Sequence, residues 1–189
     1  MLDPKDFQAV AWQLGRPPTG AFAVACRCPY GYPQVVLTHP LHRHGDGFVV
    51  FPTLFWLTCP FLEAEVARLE SAGAVKRFED LLAGDPPLAR SYAQAHEAYR
   101  AERWALLSPE DREFLRKVNA LGRLETGIAG LGNPRRVKCL HAQLAHFLAR
   151  GQNPIGGAVA AELPRLLCPP TRVECAEALR DFPPPSCPA

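Results

Sequence analysis

Residues 136–156 read RVKCLHAQLAHFLARGQNPIG, and the rest of the chain is organised around this stretch. Val137, Leu140, Leu144 and Leu148 recur at helical spacing. Asn133 suits an N-cap, Pro134 the first helical position and Gly151 the left-handed position just past the end. The spacing therefore predicts one helix from Pro134 to Arg150, with a basic first turn, Cys139 in its second turn and two histidines along it. Asn153-Pro154 predicts a further helix start directly behind it, which Pro164 disturbs.

The chain on the amino-terminal side changes period. Asp3-Pro4 opens a first helix that Gly15 stops. Ala21 to Cys28 then alternates, with Phe22, Val24, Cys26 and Cys28 on one side, which is strand spacing. Gln34 to Thr38 is a second apolar, β-branched run. His39 to Gly47 reads as a polar loop holding three histidines, and 48–51 and 53–58 as further strands broken at Pro52. From Cys59 the pattern turns helical, with Pro60 at a first helical position and Leu62, Val66 and Leu69 as the buried stripe. Val75–Leu82, a long helix from Asp85-Pro86, one from Ser108-Pro109, and a last short one from the Thr171–Glu174 capping box follow. The fold class expected is α+β: a small amino-terminal antiparallel or mixed sheet packed on a mostly helical body, one domain over 1–181 with a proline-rich disordered tail over 182–189.

Composition narrows the function classes. The 189 residues carry 21 Lys and Arg against 19 Asp and Glu, a net charge of +2, and the basic residues are scattered among acids. No basic stripe of a nucleic-acid binder is present. The longest apolar stretch, 48–62, is interrupted by Pro52 and Pro60 and is shorter than the roughly 20 residues that span a bilayer. MLDPKDF lacks the basic start and apolar run of a signal peptide, so the expected location is the cytoplasm. There the seven cysteines read as buried thiols or metal ligands before disulfides.

Three motifs in order, CRCPYGYPQVV, FPTLFWLTCP and RVKCLHAQLAHFLARGQNPIG, resemble an uncharacterised bacterial family catalogued as domain of unknown function 501 (DUF501). The resemblance implies a bacterial cytosolic protein, carries no established activity, and directs attention to Cys28, Cys59 and Cys139, one in each motif. Tyr30 stands where many relatives have a second cysteine, and Cys26 is the nearby candidate to replace it.

Cys59 at a helix N-cap would have its thiolate favoured by the helix dipole. Cys139, beside Arg135, Arg136 and Lys138, would have it favoured by the cations. The candidate metal ligands are therefore Cys28, Cys59 and Cys139 with Cys26 at the edge, converging on one 4Fe–4S iron–sulfur cluster or on zinc. Cys168, Cys175 and Cys187 have weaker contexts. His141, turned about 200° from Cys139 on an ideal helix, reads as a core histidine, and His39, His42 and His44 as a solvated loop. ETGIAGLGNPRR, residues 125–136, could hold a small anionic ligand at Gly130, Gly132, Arg135 and Arg136, although a tight connection is the plainer reading. His146 and Glu125 are the candidate general acid–base groups. The expected function is a cysteine-ligated metalloprotein, with enzymatic activity left open. The alternatives are a metal-free interaction or scaffold protein whose cysteines only pack, and a phosphate-ester enzyme resting on the glycine-rich loop alone.

Overall fold

The computed structural model describes residues 2–45 and 47–180. The architecture is α+β, and among the described residues no strand follows Leu57. α1 (Pro4–Leu14) forms as its sequence predicts, with the Asp3 side chain accepting the Lys5 N–H and Gly15 closing the helix at φ 66. β1 (Ala21–Arg27), β2 (Pro33–Thr38) and β5 (Phe55–Leu57) make an antiparallel sheet in the order β1-β2-β5. β2 is central and every one of its residues is buried, which is why its sequence is a continuous run rather than an alternating one.

β3 (Leu41–His44) and β4 (Gly47–Val50) form a separate hairpin; β4 falls on the strand expected over 48–51, whereas β3 lies where the sequence reads as a loop. The pattern of β3 is hidden because His42 and Arg43 find partners for their polar ends, the His39 carbonyl at 2.8 Å and Asp111 at 2.9 Å. Leu41 and Val50 pack over Leu115 and Leu124, and this tertiary burial replaces the missing alternation.

The helical body comprises α2 (Pro60–Ser71), α3 (Ala74–Gly84), α4 (Pro86–Ala105), α5 (Pro109–Lys117), α6 (Leu140–Arg150), α7 (Pro154–Glu162) and α8 (Glu174–Ala178). Four of these begin on a proline, and Asp85, Ser108 and Asn153 cap theirs through the side chain. Cys59 occupies the N-cap position of α2. α8 starts at Glu174 without a side-chain cap, so Thr171 does not close the capping box its sequence offers.

α6 lies at the centre. It packs on β5 and β2 and against α2 and α7, burying Leu140 and residues 142–146. The crossing with α7 is close: a Cβ on Gly156 would lie 2.2 Å from the Gln143 carbonyl oxygen and 2.6 Å from the Phe147 Cβ. The buried Asn153 amide donates to the Gln143 carbonyl at 3.1 Å and to its side-chain oxygen at 2.9 Å. Gln143 in turn donates to the Tyr92 hydroxyl of α4 at 2.7 Å.

The central helix is six residues shorter than its sequence predicts. Asn133 does not cap a helix but makes a turn, its side-chain oxygen accepting the Arg135 N–H at 2.9 Å and its carbonyl the Arg136 N–H at 3.2 Å. Two glutamates from other helices then take the amides that a helix would have used. Glu79 of α3 accepts the Val137 N–H at 3.0 Å and Glu70 of α2 the Leu140 N–H at 2.5 Å. Side-chain acceptors compete with helical bonding, and here they win as far as residue 139. Cys139 is thus the last residue before α6, with φ 50 and ψ 84. The tail over 182–189, Cys187 included, lies outside the described residues.

Candidate metal centre

The break before α6 creates a site. A carboxylate oxygen of Glu70, the Cys139 sulfur and a ring nitrogen of His141 lie within 4.8 Å of one another, and no other set of three such groups does so among the described residues. Glu70 sits in the last turn of α2 and Cys139 and His141 flank the first residue of α6, so the ends of two packed helices meet here. His141 does not point away from Cys139, because Cys139 is not helical and the 200° rotation of an ideal helix does not apply to the pair. The positive φ at Cys139 is uncommon for a residue with a side chain and clusters at functional positions.

The histidine is oriented from behind. Its Nε2 lies 3.1 Å from the Glu63 carbonyl oxygen, which can only accept, so Nε2 carries a proton. Nδ1 faces the cluster, 3.3 Å from Glu70 Oε1. This is the support that metal-binding histidines use: one nitrogen held by a backbone carbonyl, the other presented to the ligand space. Thiolate, carboxylate and imidazole lone pair would repel one another unless a proton or a cation lies among them. The hydrogen bond with Cys139 pushes the His141 pKa up to about 9 against its burial, with the Glu70 charge adding to the rise. Burial alone would push the Cys139 thiol up, but hydrogen bonds from His141 and the Ala142 N–H outweigh it and hold the thiol below its usual range. Cys139 reaches solvent.

The other expected ligands are elsewhere. Cys59 begins α2 and Glu70 comes eleven positions later, about 16 Å along the axis, so Cys139 does not join Cys59. Cys59 is buried, and burial pushes its thiol up to about 12 despite the Leu62 N–H directed at its sulfur. The helix-terminal activation read from the sequence is therefore outweighed by desolvation. Cys28 follows β1 beside Tyr32, Cys175 and Tyr30. The Cys26 sulfur lies 3.8 Å from both the Arg27 carbonyl and the Gln34 side-chain oxygen, and burial raises its pKa.

His146 is 2% exposed, stacked on Phe55 at 5.6 Å and edge-on to Tyr99 at 5.1 Å. Burial, helped by the nearby charge of Arg150, lowers its pKa to about 4, so it is a neutral core ring. Glu125 is exposed, and its amide closes a turn on the Gly122 carbonyl at 3.3 Å.

The glycine-rich loop turns its amides inward. Gly130 N–H donates to Gly127, Leu131 N–H to Ile128, and Ile128 N–H to His96 Nδ1 at 3.1 Å. No helix begins at Asn133, so Gly130 and Gly132 do not lead into the helix terminus on which an anion cradle would depend. Arg136 is paired with Glu79 at 2.6 Å. Arg135 lines an open cleft of about 590 Å³ with Arg90, Leu82 and Pro86. The loop is fastened by the buried Arg103 of α4, which donates to the carbonyls of Leu124 at 2.7 Å, Thr126, Gly127 at 3.4 Å and Pro52. Neither Arg103 nor the pair Glu70–His141 stands out in the sequence. The one available signal was the CLH triplet itself, with a thiol and an imidazole two residues apart.

The family described as Protein of unknown function (DUF501) matches residues 24–161. The matched segment holds Cys28, Cys59, Glu70, Cys139 and His141 and ends before Cys168 and Cys175. No curated protein and no solved structure matches the chain.

Proposed function

The chain belongs to the DUF501 family, and from that premise we propose that it is a cysteine-ligated metalloprotein whose ion is held by Glu70, Cys139 and His141. The observation that carries this is the convergence of three ligand atoms within 4.8 Å, backed by the Glu63 carbonyl behind His141. A mixed oxygen, nitrogen and sulfur set suits zinc. Three protein ligands leave a fourth position open, the pattern of zinc sites that bind water or substrate rather than sites that only brace a fold. A small anionic ligand, a carboxylate or a phosphate, is the chemistry that position takes. A ligand imidazole and thiolate must be deprotonated, and the His141 pKa is raised to about 9, so affinity falls as the pH is lowered.

The test is elemental analysis of the full chain purified under reducing conditions and dialysed against zinc. Glu70→Gln, Cys139→Ser and His141→Ala should each remove about one equivalent of metal while the circular dichroism stays unchanged. Undiminished metal content in all three variants would overturn the proposal.

A second reading is favoured by the strained backbone at Cys139 and its hydrogen bond with His141. It makes Cys139 a nucleophile and His141 its acid–base partner. Under it, metal-free protein is alkylated by iodoacetamide at Cys139 already at neutral pH, His141→Ala slows that reaction at least tenfold, and zinc does not protect the thiol.

A further inference from the structure

Four other thiols are gathered at one edge of the β1-β2-β5 sheet. Cys28 follows β1 and its N–H donates to the Tyr32 carbonyl at 2.9 Å. Cys59 follows β5, where the Thr58 N–H donates to the Gln34 carbonyl at 2.9 Å. Both cysteines therefore leave the sheet at the same end, on either side of the start of β2, about two strand spacings or roughly 10 Å apart by backbone. The segment between α7 and α8 closes over this end. Gln34 holds the Leu166 carbonyl at 2.8 Å and the Tyr30 hydroxyl the Cys168 carbonyl at 3.2 Å. Cys175, at the second position of α8, packs in one cluster with Cys28, Tyr30 and Tyr32.

The Cys175 sulfur faces a donor, with Gln13 Nε2 3.4 Å away. N–H groups aimed at sulfur stabilise a thiolate more than a thiol and surround metal-bound cysteines as outer support. We propose that Cys28, Cys59, Cys168 and Cys175 form a four-thiolate metal centre, separate from the Cys139 site and independent of it. Cys168 and Cys175 supply the two ligands that the sheet alone lacks.

Electrostatics agree with the grouping. Burial raises the thiols of Cys59 and Cys175, the latter to about 11, and the charges of Cys28 and Cys168 push both further up. Neighbouring thiolates repel one another, so a cation among them would favour their joint ionisation. Binding therefore releases the thiol protons to solvent as the sulfurs bond to the metal. Among the described residues no three of these sulfurs lie within 4.8 Å of one another, whereas ligands about 2.3 Å from one zinc ion sit about 3.8 Å apart. An iron–sulfur cluster, with sulfurs roughly 6–7 Å apart, needs less closure than zinc. Four thiolates serve both.

The experiment uses the full chain carrying Cys139→Ser, which empties the first site, purified anaerobically. Iron, acid-labile sulfide and zinc are measured together with the thiols that react with Ellman's reagent before and after chelation under denaturing conditions. Expected is either a brown protein containing iron and sulfide or a colourless one with one zinc, in each case with four thiols released on metal removal. The Cys168→Ser/Cys175→Ser pair should lose that metal. Absence of both metals from the Cys139→Ser chain, or full retention by the Cys168/Cys175 variant, would overturn the proposal. Because Cys139 is already replaced, neither result bears on the Glu70–Cys139–His141 site.

Discussion

Replacing Arg103 by methionine keeps most of the aliphatic volume and removes the guanidinium. Arg103 is fully buried and has no carboxylate against it; its partners are the backbone carbonyls of Pro52, Leu124, Thr126 and Gly127 and the face of Tyr99, 5.1 Å away. Hydrogen bonds from a charged donor contribute about 1.5–3 kcal/mol each, and a buried acceptor left without a donor costs about 1–3 kcal/mol. Three close bonds thus put the gross loss at roughly 6 kcal/mol or more. Against this stands relief from burying a charge, several kcal/mol per ion. The net expected for Arg103→Met is a loss of about 3–5 kcal/mol, because buried carbonyls are left without a donor. For a chain of this length that is a fall of roughly 10–15 °C in Tm.

The assay is urea and thermal denaturation followed by circular dichroism, with amide exchange at Ile128 as the local readout, since its N–H is held on His96 in the loop that Arg103 fastens. Arg103→Lys keeps the charge but not the fork of donors and should recover only part of the loss. A Tm within about 2 °C of the unmodified chain for Arg103→Met would refute the reasoning. It would mean that water reaches the four carbonyls and that the arginine is not what holds the loop.

Two further outcomes follow from buried groups. Burial lowers His96 and His146 to about 4, below the unfolded value near 6.5. Their contribution to stability is therefore complete above about pH 6.5 and is lost as the pH falls towards 4, by up to roughly 3 kcal/mol each. Urea midpoints measured across that window should drop, and His146→Phe should remove about half of the slope; a flat profile would contradict the assignment. Gly156→Ala, with its Cβ against the Gln143 carbonyl and the Phe147 Cβ, should cost about 1–3 kcal/mol or more. Gly157→Ala meets only the Phe147 ring edge at 3.2 Å and should cost much less, and equal midpoints for the two would show that the helices separate freely.

Much of the fold was legible because it rests on local rules. Asp3-Pro4, Asp85-Pro86, Ser108-Pro109 and Asn153-Pro154 each begin a helix where the chain says they do, since cap and proline act within four residues. The same rule failed at Asn133-Pro134, where the decisive groups, Glu70 and Glu79, lie more than fifty positions away and nothing in the local pattern reports them. The site was partly legible for the same reason. Cys139 could be singled out from its motif, but its partner His141 was assigned to the core by a helical geometry that residue 139 does not have. Cys168 and Cys175 have weak local contexts because the end of the sheet that their segment covers is built from residues far away in the chain. His146, by contrast, was chosen for its spacing from Cys139, and spacing along one helix does not see that Phe55 and Tyr99 enclose the ring.

α2 explains why the two thiol groupings differ in chemistry. Its amino end carries the partial positive charge of the helix dipole, and Cys59 sits there; yet the thiol is buried and stays protonated, because desolvation outweighs a field of half a charge. Burial raises the Cys59, Cys168 and Cys175 thiols, so a bound cation would be what favours their thiolates. At the carboxyl end the dipole is negative and favours a cation, and the amino end of α6, which favours an anion, meets it. His141 bonds to the Glu63 carbonyl and Glu70 on the α2 side, while Cys139 lies at the start of α6, its carbonyl accepting the Ala142 N–H at 3.0 Å. The Cys139 thiol is lowered and the His141 ring raised, so both helix ends act in the direction that favours a charged pair. Under the proposed reading a zinc ion would enter a site already polarised towards ionisation where α2 meets α6, whereas at the end of the sheet it would have to ionise the thiols it binds.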